Sequence, residues 1–124
     1  MEIWYNPSCS KCRIAGQELQ AAGLDVPQRR YLDDVPTAAE LSDVLDRLGM
    51  QPWEITRTGE AVFKELGMNS WPREDGERRR WIVAMVANPK LIQRPIVLLD
   101  DGRAVVARTP EAIADVIASS GEVR

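Results

Sequence analysis

The chain of 124 residues contains no histidine, one phenylalanine, two cysteines and three lysines. The missing histidine excludes Ser–His and Cys–His nucleophiles, an imidazole base and any His-ligated metal. Two cysteines, Cys9 and Cys12, are too few for a disulfide-stapled secreted scaffold and read sooner as reactive or metal-binding positions. Scarce lysine leaves thirteen arginines to carry the positive charge. Arginine suits planar, bidentate recognition of oxyanions, although a GC-rich coding sequence would produce the same bias. No apolar run approaches the roughly 18 residues that span a bilayer. The start "MEIWYNPSC" has neither a basic n-region nor an apolar core, so no secretory signal is expected and a cytoplasmic location is. A net charge of -3 argues against direct binding to nucleic acid or to an anionic membrane.

With 44% apolar and 28% charged residues, the composition is that of an ordinary soluble protein, and the length suits a single domain over 1–124. "EIWY" at 2–5 reads as a strand closed by Asn6-Pro7. Residues 10–22 read as a helix with Ala15, Leu19 and Ala22 on one face and Gly23 as its stop. "QRRYL" at 28–32 reads as a second strand, which makes a βαβ unit with parallel strands. The middle is helical. Thr37-x-x-Glu40 is a capping box ahead of Leu41, Val44, Leu45 and Leu48, with Gly49 ending the helix. A shorter helix is predicted over 59–66 with Val62 and Leu66 inward, and a third within "REDGERRRWIVAMVANP", where Arg78, Arg79 and Arg80 form a solvated side. "RPIVLLDDGRAVVAR" predicts two strands joined at Asp101-Gly102. Thr109 and Pro110 then open a last helix carrying Ile113, Val116 and Ile117. The expected fold is α/β: a βαβ…ββα thioredoxin-like core at 1–33 and 91–121, with a helical block at 37–88 inserted between the second and third strands.

The chemistry concentrates in "NPSCSKCRIAG". A cysteine where a strand hands over to a helix meets unpaired N–H groups and the positive end of the helix dipole. Both favour thiolate over thiol, and the charges of Lys11 and Arg13 act in the same sense, so Cys9 is expected to be an activated nucleophile. Cys12, one turn on, is within reach to resolve an adduct on Cys9 as a disulfide. A pair of inert core cysteines is the plain alternative. A zinc site would need carboxylates or a second chain to reach four ligands, and no metal is expected. Arg57, Arg94 and Arg108 are candidate anion ligands. Arg94 precedes Pro95 at the start of a predicted strand, where an X-Pro bond is a candidate for the cis form.

The stretches "NPSCSKCR", "RYLDDVPTAAEL", "ITRTGEAVFKELG", "NPKLIQRPIV" and "ARTPEAI" run in order along nearly the whole chain and resemble the arsenate reductase (ArsC)/Spx family of thioredoxin-like proteins. The resemblance implies a cis-proline at Pro95, a nucleophile at Cys9 and arsenate-handling arginines at Arg57, Arg94 and Arg108. It implies no bound cofactor. Glutathione or another thiol would serve as co-substrate, and glutaredoxin or thioredoxin would act as the protein reductant. Arg108 favours the reductase branch, because Spx-type relatives usually lack an arginine there. Cys12 departs from the glutathione-dependent reductases and matches the CxxC of Spx-type regulators, which bind RNA polymerase through a disulfide switch. The expected function is reduction of arsenate to arsenite through a covalent adduct on Cys9. The alternatives are such a regulator, or a general thiol–disulfide reductase.

Overall fold

The computed structural model describes residues 1–121. The chain divides into two units, one formed by Met1–Asp34 with the segment from Arg94 onward, the other by Val35–Gln93.

In the first unit, short apolar runs form four strands, β1 (Glu2–Trp4), β2 (Gln28–Arg29), β3 (Ile96–Leu98) and β4 (Ala104–Val106). Their order is β2-β1-β3-β4. β1 lies parallel to β2, with Ile3 opposite Gln28, and antiparallel to β3, with Ile3 opposite Val97. β3 and β4 are antiparallel, Val97 facing Val105. This mixed sheet, with helix α1 (Ser10–Ala21) between β1 and β2 and helix α5 (Pro110–Gly121) after β4, is a thioredoxin-like core. Because side chains alternate along a strand, Ile3 and Val97 share one face. That face packs with Cys12, Ala15 and Leu19 of α1 and with Ile113 and Val116 of α5 into a buried cluster. Ala22, predicted inward, is instead the exposed C-cap of α1, and Cys12 takes the core place.

The second strand is shorter than predicted. After Arg29 the chain turns, with Asp33 and Asp34 N–H both donating to Arg30 O at 3.0 and 2.8 Å, so Tyr31 leaves the strand and sits in a turn. The β3–β4 connection is also wider than a two-residue hairpin. The strands end at Leu98 and restart at Ala104, with Leu99 N–H donating to Arg103 O at 2.9 Å. Gly102 supplies the positive φ of 93° that this loop needs.

The second unit holds α2 (Ala38–Leu48), α3 (Ala61–Glu65), α4 (Arg78–Ala87) and several 3-10 turns. α2 starts at the predicted capping box: Thr37 Oγ1 accepts the Glu40 N–H at 3.1 Å, and Glu40 Oε1 accepts the Thr37 N–H at 3.0 Å. It ends at Gly49 with φ 68°, the left-handed position glycine tolerates best. In α3 the buried residue is Phe63, while Val62 is half-buried and Leu66 exposed, so the predicted Val62/Leu66 face is kept only at Val62. With only five residues, α3 is too short for a four-residue period to decide its orientation. α4 begins after a 3-10 turn over Asp75–Glu77, later than predicted. Arg78 is no solvated side chain: it reaches Gln51 Oε1 at 3.1 Å, Ser42 O at 3.1 Å and Asp46 Oδ1 at 2.9 Å, tying α4 to α2. Trp81 is fully buried, edge-on to Trp53 and Trp71 at 6.0 and 5.5 Å. Among the described residues, no helix is long and apolar enough to cross a membrane.

Candidate active site

The chain leaves β1 and is folded back by Asn6. Its Oδ1 accepts the Ser8 N–H at 3.0 Å and its carbonyl accepts the Cys9 N–H at 3.0 Å. Cys9 thereby becomes the N-cap of α1, in extended backbone (φ −95°, ψ 123°), and its carbonyl accepts the Arg13 N–H at 3.1 Å. An N-cap residue ordinarily turns a side-chain oxygen onto the free N–H groups of the first turn. Sulfur occupies that place here. Cys9 Sγ makes no aligned capping bond. The N–H groups of Lys11 and Cys12 nevertheless face it closely enough to favour its charged form.

Burial pushes the Cys9 thiol up, but the Arg94 guanidinium bonded to its sulfur, the N–H groups of Cys12 and Lys11, and the Cys12 thiol together outweigh burial. The net result is a pKa lowered from the ordinary 9.0 to about 7. Cys12 moves the other way, to about 11, because burial and the neighbouring Cys9 charge and hydrogen bond outweigh the Asn6 N–H, which lies 3.5 Å from its sulfur. Accessibility separates the pair as well, with Cys9 9% exposed and Cys12 0%. Cys9 is therefore the less buried sulfur and the one favoured as thiolate, and Cys12 is a fully buried, protonated thiol.

The structure brings Arg94, Pro95 and Arg108 to this end of the first unit. The Arg94–Pro95 peptide is cis, as the sequence suggested. Burial works against the Arg94 charge, but contact with Cys9 and Tyr31 more than compensates, so it is held further in its charged form. Arg108 Nη1 donates to the Arg94 carbonyl at 2.6 Å, which brings the two arginines together. Lys11 and Arg13 do not play the part expected of them. The Arg13 guanidinium turns to Pro7 O at 3.0 Å, Lys11 contributes its backbone N–H, and the cation that lowers the Cys9 pKa is Arg94. Arg57 belongs to the second unit. There its N–H donates to Leu91 O at 2.7 Å and its Nε lies 3.4 Å from Glu60.

Two contributors escaped sequence reasoning. Asn6 brackets both cysteines, and the only signal for it was its place before Pro7. Tyr31 is fully buried, stacks on Trp4 at 6.5 Å, and meets the Arg94 guanidinium. Its signal was a lone aromatic in a charged stretch, which strand patterning absorbed.

The arrangement joins a thiolate formed near neutral pH, a guanidinium on its sulfur, a second guanidinium held on the Arg94 backbone carbonyl, and a reserve thiol one turn away. It can attack an electrophilic centre, hold anionic oxygens and form a disulfide. A family model described as "ArsC family" matches residues 4–116. A curated relative from Streptomyces viridochromogenes, named for its place in the glnII region, is 58% identical over 94% of this chain and 98% of its own. A Neisseria meningitidis protein named arsenate reductase is 35% identical over 94% of this chain and 97% of its own. The regulatory protein MgsR of Bacillus subtilis is 30% identical over 89% and 84%. Among solved structures, an arsenate reductase from Vibrio cholerae superposes with a TM-score of 0.83 at 32% identity, covering 93% of this chain and 95% of that one.

Proposed function

The chain belongs to the ArsC family, and from that premise we propose that it is a thiol-dependent arsenate reductase with Cys9 as its nucleophile. The observation that carries the proposal is Cys9 itself: a cysteine at the start of α1, bonded to the Arg94 guanidinium, with its pKa drawn to about 7. A thiolate formed in advance needs no base, so a chain without histidine can run this chemistry.

In the proposed reaction Cys9 sulfur attacks arsenic(V) of arsenate, and one arsenic-bound oxygen leaves as water after protonation. The new S–As bond makes a covalent adduct. A second thiol then attacks Cys9 sulfur, the S–As pair of electrons stays on arsenic, and arsenite(III) leaves with a disulfide remaining on Cys9. Overall, arsenate and two thiols give arsenite, one disulfide and water. The second thiol is glutathione or Cys12, and a dithiol protein, glutaredoxin or thioredoxin, restores Cys9 by exchange. Arg94 and Arg108 are assigned to the arsenate oxygens. Arg57 joins them through its family motif alone. The N–H groups of Lys11 and Cys12 already serve the Cys9 sulfur, so the guanidinium groups carry most of the anion.

The test is arsenite formation from arsenate by purified protein, with glutathione and glutaredoxin in one assay and thioredoxin with its reductase in another. Turnover that Cys9→Ser abolishes supports the proposal, and turnover that survives it removes the covalent step. Arg108→Ala should raise the KM for arsenate about tenfold, the effect of losing one charge-assisted contact. An unchanged KM takes Arg108 out of the anion site.

The contact between Cys9 and Cys12 supports a second reading, in which their disulfide switches a regulator that binds RNA polymerase. No turnover in either assay, together with ready closure of that disulfide by diamide, would favour it.

A further inference from the structure

One groove of the first unit, about 300 Å³, runs between α1 and α5 beside the Cys9 site. Its α1 wall is Lys11, Ile14 and Glu18, spaced so that all three share a helix face. Pro110, Ile113 and Ile117 form the facing wall on α5, and Arg108 stands just before that helix. The groove is therefore cationic at the end where both helices begin, apolar along its middle and acidic at Glu18, about 10 Å down α1. Ile14 is 46% exposed and lies with Pro110, Ile113 and Ile117 in one apolar stretch of the groove. The cationic end adjoins the reactive sulfur: Arg108 touches the Arg94 carbonyl, and Arg94 touches Cys9.

We propose that this groove is the docking surface for the protein dithiol that reduces Cys9. The partner seats one apolar side chain over Ile14 and Ile113, sets an acidic group against Lys11 and Arg108, and directs a basic group towards Glu18. Charge polarity along the groove fixes its direction, so the partner's cysteine arrives at the cationic end. A free tripeptide thiol has charges for the two ends but no apolar side chain for the middle, which is why the occupant is a protein. The step it performs is balanced exchange. One partner thiolate attacks Cys9 sulfur of the Cys9–Cys12 disulfide, and Cys12 leaves and takes a proton. The partner's second thiol then attacks the mixed disulfide, freeing Cys9 thiolate and carrying away the disulfide and its two oxidising equivalents.

The partner's chemistry rests on the thiol-dependent reading above, but the test needs no arsenate. Diamide closes the Cys9–Cys12 disulfide, and second-order rates of its reduction are measured with reduced thioredoxin, reduced glutaredoxin and dithiothreitol. The variants are Ile14→Arg, Ala114→Arg and Glu18→Lys, all at exposed positions of the groove. Each arginine should slow the faster of the two proteins at least about tenfold, as loss of a central contact does, and Glu18→Lys should slow it less. Rates with dithiothreitol should stay within about twofold of wild type, since a small dithiol needs no docking surface. Unchanged protein rates overturn the proposal, and so does an equal fall with dithiothreitol. A disulfide that diamide cannot close, or one reduced no faster by either protein than by dithiothreitol, overturns it too. Failure of arsenate turnover with the groove effects intact would defeat the reductase reading and leave the docking surface standing.

Discussion

Helices α1 and α2 are nearly equal in length, 12 and 11 residues, yet their first turns are completed by different chemistry. At α2 the Thr37 hydroxyl and the Glu40 carboxylate take up free N–H groups, and the yield is stability. At α1 a cysteine stands in the threonine's place, and the same kind of N–H groups stabilise one protonation state of sulfur. A helix start thus offers a fixed electrostatic resource, which one unit spends on its fold and the other on a reactive group.

The most damaging way to break this contrast is to make α1 begin as α2 does. Cys9→Ser supplies a capping hydroxyl and removes the thiolate. Arsenite formation should fall by at least about 1,000-fold, because a serine without a base is scarcely ionised. At pH 6, where wild-type Cys9 is mostly thiol, the variant should gain about 1 kcal/mol in stability, read from denaturant midpoints. Next in size, Arg94→Ala should move the midpoint of Cys9 alkylation upward from about 7. At pH 6 the alkylation rate should then drop at least about tenfold, in step with the lost thiolate fraction. An unmoved midpoint would leave the N–H groups as the whole cause. On the other side, Thr37→Ala should cost about 1 kcal/mol of stability without altering Cys9 alkylation. A change in both would mean the two helix starts are not independent.

A further effect is expected in the pH dependence of stability. With its pKa at about 7 when folded and near 9 when unfolded, Cys9 binds fewer protons in the native state throughout that window. Its contribution to stability is therefore fully present above pH 9 and lost as pH falls through 7. Cys12, raised to about 11, works in the opposite sense between pH 9 and 11. The melting difference between wild type and Cys9→Ser should accordingly shift in favour of wild type from pH 7 to 9. A flat difference would mean that sulfur gains nothing from the helix start.

What the sequence made legible was whatever rests on neighbours within one turn. Thr37 with Glu40, Gly49 after α2, Thr109 with its hydroxyl accepting the Ala112 N–H at 3.1 Å, and the pairing of β3 with β4 all follow from local spacing. The position of Cys9 at a strand–helix junction was legible for the same reason. Contacts between residues distant in sequence were not. Nothing in "REDGERRRW" foretold that Arg78 would turn away from Arg79 and Arg80 to reach Ser42 and Asp46. Nothing near Cys9 pointed to Arg94 as the main cation on its sulfur, while the adjacent Lys11 and Arg13 looked sufficient. Proximity in sequence stood in for proximity in space, and at Cys9 it named the wrong charges.

Trp4 is the single tryptophan of the first unit and is 1% exposed. It lies under the Arg29 guanidinium at 5.5 Å and is stacked on Tyr31, which meets Arg94, which in turn holds Cys9. A change of charge on the sulfur therefore alters the electric field felt by one indole through two intervening side chains. Once Trp53, Trp71 and Trp81 are replaced, the emission of that one indole should follow the oxidation of Cys9 with no added label.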